Sequence, residues 1–180
     1  MKLKIAAAAM LSAMVAGVCA PAAAQEVTLK IHHFLPPPSP AHARLITPWC
    51  EKIGKESGGK LKCQIFPSMS MGGTPPQLYD QAKDGVADIV WTLPGYTANR
   101  FPTVEAFELP FMMTNPEATS RALWEYTQLH SKAEFKDVHP ILFHVHGPGV
   151  FHMREKQIKT LADFKALKVR APTRMTNKMI

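Results

Sequence analysis

The feature that most constrains this chain is an alternation of short apolar runs with strand character and longer segments with helical spacing. Val27 to His32 reads as a strand and ends in Pro36-Pro37-Pro38-Ser39-Pro40, where a ladder cannot continue because proline has no amide hydrogen. Ile46, Trp49, Cys50 and Ile53 recur at helical spacing and predict a helix from about Ala41 to Lys55, stopped by Gly58-Gly59. Leu61, Cys63 and Ile65 alternate in a strand over Leu61 to Phe66 that Pro67 closes. Thr74 as N-cap, with Pro75 at the first helical position, starts a helix to Lys83 that Gly85 terminates. Ala87 to Trp91 is a short, almost wholly apolar strand. Strands separated by helices in this rhythm predict an α/β protein with parallel pairing.

Beyond Trp91 the rhythm loosens. Thr92 to Pro102 has no period and is expected to be an ordered loop, followed by an amphipathic helix over Pro116 to His130. Val138 to Val145 reads as a strand, Gly147-Pro148-Gly149 interrupts, and a second strand runs from Val150 to Arg154. Thr160 caps a short helix through Leu167, and Lys168 to Ala171 is the last predicted strand. The sequence stops at Ile180, inside the first turns of a helix begun at Thr173, which reads as a truncation.

The amino terminus predicts the compartment. Lys2 and Lys4 precede an apolar run from Ile5 to Val18, and Ala22 and Ala24 form a small-residue cleavage signature. That run is shorter than the roughly 20 residues a spanning helix needs. Residues 1–24 are therefore expected to be a signal peptide, with a soluble periplasmic product starting at Gln25. Bulky Val18 before Cys19 argues against lipoprotein processing. Removing the two lysines lowers the formal net charge from +7 to +5, a field that either attracts anions or serves solubility. The basic residues are scattered without aromatic interleaving, so nucleic acid is not an expected partner. Cys50 and Cys63 remain. In an oxidising compartment they are either a disulfide, the turn Ser57-Gly58-Gly59-Lys60 folding helix back on strand, or two buried thiols.

The sequence lacks a G-x-S-x-G elbow, an H-E-x-x-H helix and a phosphate-binding loop. No enzyme activity and no cofactor are expected. The rival reading, an exported metal-dependent enzyme, would use histidines: His144 and His146 share one face of a strand, with His32-His33 and His152 as further candidates. Zinc wants three or four ligands, and the other reading is polar groups lining a cleft. Arg170 is the strongest candidate for binding. It stands at the carboxyl end of a short predicted strand, where ligands of open α/β sheets bind. Its planar fork matches a carboxylate in two parallel hydrogen bonds. The alternative for Arg170 is a surface salt bridge. Trp91, Pro94 and Tyr96 end a strand and open a loop, where aromatics either wall an apolar pocket or pack against the lobe.

Six segments then match one family in order. Pro48-Trp-Cys-Glu-Lys-Ile53 with Ser57-Gly-Gly-Lys60, Ile65-Phe-Pro67 with Gly72-Gly73, and Asp84-Gly-Val-Ala-Asp-Ile89 come first. Pro94-Gly-Tyr-Thr-Ala-Asn-Arg-Phe-Pro102, Phe107-Glu-Leu-Pro-Phe111 and Thr160-Leu-Ala-Asp-Phe-Lys-Ala-Leu-Lys-Val-Arg-Ala-Pro172 follow. From about Val27 onward the chain resembles the substrate-binding subunits of TRAP (tripartite ATP-independent periplasmic) transporters, the DctP-like family. The resemblance implies a two-lobed periplasmic binding protein that performs no chemistry, closes on a small organic carboxylate and docks on a TRAP membrane permease. It implies that Arg170 salt-bridges the carboxylate and that Leu93 and Tyr96 line the pocket. Phe34 and Trp91 are further candidate contacts. Members that bind sialic acid carry a second arginine where this chain has Val150, which points to a less polar 2-oxo or hydroxy acid, including aromatic ones. Residues 25–147 are expected to be the first lobe and 148–180 the start of the second, with Gly147 and Gly149 as hinge candidates.

Overall fold

The computed structural model describes residues 25–109, 111–155 and 157–180; the expected signal peptide lies outside them. Strands β1 (Val27–His33), β2 (Leu61–Phe66) and β3 (Ile89–Trp91) form one parallel sheet in the order β2-β1-β3. β2 accompanies β1 from Val27↔Leu61 to His32↔Phe66, whereas β3 pairs only with its later part, Ile31↔Ile89 to His33↔Trp91. Burial follows the neighbours. Val27 and Thr28 are exposed, and Ile31, His32 and His33, flanked on both sides, are buried. The start of β3 is clamped by Asp88, whose N–H donates to the Lys30 carbonyl at 3.0 Å and whose carboxylate accepts the Lys30 N–H at 2.7 Å.

The helix expected after β1 is present as a π-helical turn, His42–Ile46, running into α1 (Thr47–Glu56). Pro48 explains the widened start. It cannot donate to the Arg44 carbonyl and its ring presses on it, so the preceding turn opens to the wider bonding pattern. Gly58 and Gly59, at φ 62° and 83°, reverse the chain in the left-handed region open to glycine. Ser57 closes this turn, its hydroxyl accepting the Leu61 N–H at 2.9 Å. The return lays β2 against α1, with Cys50 and Cys63 in a disulfide whose Cα atoms are 5.7 Å apart. α2 (Leu78–Lys83) begins with a 3₁₀ turn in which Gln77 Oε1 accepts from the Thr74 N–H and hydroxyl at 2.8 and 3.0 Å.

α3 (Pro102–Glu105) and α4 (Pro116–His130) follow, and Asn115 caps α4 by accepting from the N–H groups of Glu117 and Ala118. These helices meet α2 over a core of Tyr79, Phe101, Val104, Leu123 and Phe135. The Phe101 and Phe135 rings stack 4.7 Å apart and Tyr79 meets Phe101 edge-on at 4.9 Å, arrangements that add to simple area burial. Arg100 lies 4.0 Å over the Tyr79 ring and bonds Asp80 at 2.9 Å, holding the Asp80 carboxyl below its ordinary value.

Three expected strands are absent. Segments 138–145, 150–154 and 168–171 run without ladder bonds. The first keeps strand alternation: Phe143 and Val145 turn to the core while His144 and His146 are exposed. Its Val145 N–H, however, goes to the Ser120 hydroxyl on α4 at 3.0 Å. A strand is a pairing, and among the described residues no edge pairs with these runs. The helix expected from Thr160 to Leu167 is a 3₁₀ turn, Leu161–Phe164, ended by Ala166 at φ 63°. α5 (Arg174–Met179) is capped by Thr173 and packs beside the 3₁₀ turn Pro94–Tyr96. Among the described residues no helix is long and apolar enough to cross a membrane.

Candidate functional site

Sheet register assembles the candidate pocket. His33 and Trp91 are paired neighbours at the carboxyl ends of β1 and β3, so Phe34, one residue further, rises beside Trp91 with ring centroids 5.3 Å apart. The turn Pro94–Tyr96 brings Tyr96 against Phe34, also at 5.3 Å. All three rings are half-buried. Leu93 is half-buried too, and its carbonyl closes the turn by accepting the Tyr96 N–H at 3.1 Å. Trp91 Nε1–H donates to His144 Nε2 at 3.0 Å, so neutral His144 carries its proton on Nδ1.

A polar knot lies behind this turn. Gly95 is buried, and a Cβ there would sit 2.1 Å from Glu108 Oε1: the carboxylate occupies the room a side chain would take. Burial pushes the Glu108 carboxyl above its ordinary value. A hydrogen bond from Thr173 opposes that, the Glu105 charge adds to it, and Arg174 and His146 act against it. Glu105, 5% exposed, forms an ion pair with Arg174 on α5.

Arg170 is exposed in the extended run ahead of α5. Among the described residues it has no hydrogen-bond or ion-pair partner. Arg100, Arg121, Arg154 and Arg174 each have a carboxylate partner. No described contact joins Arg170 to the three rings; its link to them is α5, packed beside the turn of Tyr96. Val150 is 67% exposed and stands apart from the ring contacts. Gly147 and Gly149 are exposed, with open space around them and no left-handed backbone.

The histidines are dispersed among other partners. His32 Nδ1 meets Gln81 Oε1 at 2.6 Å, and His33 Nδ1 accepts the Leu35 N–H while its Nε2 meets His42 Nδ1 at 2.9 Å. Burial, then the charges of His42 and His32, lower the His33 pKa to about 4. His146 Nδ1 bonds the Gly147 carbonyl and His152 is exposed. Among the described residues no three His, Cys, Asp or Glu side chains are grouped to hold a metal ion. Sequence reasoning missed the role of His144 as the partner of Trp91, and it missed the knot of Glu105, Glu108 and Arg174. The knot had a signal: two carboxylates three apart, set among Val104, Phe107 and Leu109.

Open parallel α/β sheets take ligands outside the carboxyl ends of their strands, where this chain carries its aromatic group. The chain belongs to the DctP family, bacterial extracellular solute-binding protein family 7, which it matches over residues 31–180. That is a family of solute-binding proteins rather than of enzymes. A TRAP solute-binding protein from Rhodoferax ferrireducens, solved with copurified benzoate, is 59% identical with a TM-score of 0.82, over 85% of this chain and 48% of that one. A marine-metagenome TRAP protein specific for aromatic acid ligands, solved with 3-hydroxybenzoate, is 50% identical with a TM-score of 0.82, over 86% and 48%. A Bordetella bronchiseptica TRAP protein with bound mandelate is 28% identical with a TM-score of 0.68, over 78% and 45%. The outer membrane transporter protein TsaT of Comamonas testosteroni is 30% identical over 162 residues, 89% of this chain and 47% of that protein. The chain thus spans about half the length of the relatives it matches.

Proposed function

We propose that this chain supplies the aromatic wall and the carboxylate-binding arginine of a periplasmic receptor for a small aromatic monocarboxylate. The receptor delivers this ligand to a TRAP membrane permease. The observation that carries the reading is the Phe34–Trp91–Tyr96 group at the carboxyl ends of β1 and β3. Offset and tilted ring contacts of this kind are worth about 0.5–1.5 kcal/mol each beyond buried area. The benzoate, 3-hydroxybenzoate and mandelate of the relatives each combine one aromatic ring with one carboxylate. Unpaired Arg170 suits that carboxylate, and aliphatic Val150 suits a ligand without a second anionic group. Residues 1–24 serve export, residues 25–147 and 148–180 belong to two lobes, and Gly147 and Gly149 give the open backbone at which the lobes close. Closure follows from ligand binding the closed state better than the open one.

The reading is tested by calorimetry on the receptor at the full length of its relatives. The ligands compared are benzoate, benzamide and cyclohexanecarboxylate. Benzamide keeps the ring and loses the charge; cyclohexanecarboxylate keeps the charge and loses the π face. Each should bind at least about tenfold more weakly than benzoate, a loss of about 1.4 kcal/mol. Benzamide binding as tightly as benzoate would remove the carboxylate from the recognition, and the reading with it.

A further inference from the structure

We infer that the ion pair between Glu105 and Arg174 is a positioning device that holds Arg170 in register with the aromatic turn of the pocket. The inference rests on the reading that Arg170 receives the ligand carboxylate.

The Glu105 side chain is 6% exposed and that of Arg174 35%, whereas the Arg121–Glu117 pair on α4 is 77% and 78% exposed. A solvated pair such as Arg121–Glu117 fixes little. A buried carboxylate stripped of its cation is strongly unfavourable, and here two carboxylates face one guanidinium. Glu108 lies beside Glu105 and its charge state is set partly by both Glu105 and Arg174. Without Arg174 the knot would hold two acidic groups and no arginine. Docking of α5 is therefore tied to the guanidinium that pairs the buried Glu105 carboxylate.

The knot is wired to the pocket on both sides. Glu108 fills the space over Gly95, the centre of the turn that carries Tyr96. On the other side, Arg174 lies one residue past Thr173, the cap of α5, and Arg170 lies four residues before Arg174. The run 168–171 has no ladder to hold it in place. Its anchorage to the Tyr96 turn is α5, through Thr173 and Arg174. The knot also retains unused polar capacity: Glu105 Oε1, Glu108 Oε2 and Arg174 Nε are buried without partners.

The test is a double-mutant cycle on the full-length receptor, with benzoate as the probe in calorimetry. Arg174→Ala should weaken benzoate about 10- to 100-fold. In a background of Arg170→Ala it should cost less than about threefold more, since a displaced anchor has nothing left to misplace. Arg174→Lys should restore part of the loss by returning the charge. If Arg174→Ala does not fold, Arg174→Lys and Glu105→Gln are run through the same cycle with thermal unfolding recorded alongside. Losses that add to that of Arg170→Ala would overturn the inference, as would an Arg174 or Glu105 variant that binds like the parent while Arg170→Ala is impaired. A neutral Arg170→Ala would instead remove the carboxylate reading on which the inference stands.

Discussion

Trp91 and His144 are joined edge to edge: the indole Nε1–H donates to His144 Nε2 at 3.0 Å, and the two ring planes lie within 23° of each other. The bond ties the end of β3 to a run that shares no ladder with it, so it orients the widest face of the aromatic group. His144→Ala leaves that indole N–H without its acceptor, at an expected cost of about 0.5–1.5 kcal/mol in stability. His144→Gln, which keeps a side-chain acceptor, should recover part of the loss. Urea unfolding of both variants checks this, and equal stabilities for alanine and glutamine would show the bond to be idle.

Arg170→Ala leaves a ligand carboxylate drawn from water without its fork. In the full-length receptor this should cost about 2–5 kcal/mol, roughly 30-fold to several thousand-fold in affinity. Lysine should rescue only part, because a point charge does not reproduce two parallel bonds. Arg154, 94% exposed and beside Glu155, should be near neutral as alanine. Calorimetry with benzoate measures all three, and an Arg170→Ala variant within about threefold of the parent would refute the assignment.

Cys50 and Cys63 close a short loop between α1 and β2. Chain-entropy arithmetic for a loop of this size gives about 3 kcal/mol. Paired Cys50→Ser and Cys63→Ser changes should lower stability by about that amount in denaturant titration. The parent purified without reductant should show no reactive thiol from these residues when denatured, and two labelled sulfurs would contradict the bridge.

His33 makes stability depend on acid. Its pKa in the fold is about 4, against 6.5 for the free side chain. Between these values the unfolded chain binds the proton and the fold does not, so stability falls as pH drops from about 6.5 toward 4 and is unaffected by this group above about 7. The loss at pH 4 should be on the order of 2–3 kcal/mol. His33→Gln should remove that part of the slope. Glu108, whose carboxyl is raised by burial, works in the opposite sense, gaining stability from acid and losing it as pH rises through its folded value. Comparing parent with His33→Gln cancels the Glu108 contribution. Superimposable pH profiles would show that His33 is not the source.

What was legible in the sequence was what is decided locally. The periods around Ile46–Ile53 and Leu61–Ile65, the helix start at Pro116 and the glycine reversal at Gly58-Gly59 are all fixed within a few residues, and each element stands where it reads. The runs 138–145, 150–154 and 168–171 carry strand-like composition yet no ladder, because pairing depends on a neighbouring edge that composition does not encode. The π-helical turn before Pro48 came from a clash between two residues four apart, which a count of apolar positions does not register. In the candidate site, Trp91 and Tyr96 were readable as the end of a strand and the opening of a loop. The joining of Glu105 to Arg174 crosses 69 residues and could be read only as an oddity, two acids in an apolar stretch.

Gly95 and Glu108 share a single volume, and this makes positions 95 and 108 one heritable unit. A methyl group at 95 requires the carboxylate at 108 to swing aside from the space it now fills. Alanine at 95 displaces a buried carboxylate, and a small residue at 108 is a compensating change for it. Among descendants of this sequence the two sites should therefore drift together or stay fixed together, a covariation imposed by sterics before any selection on the ligand.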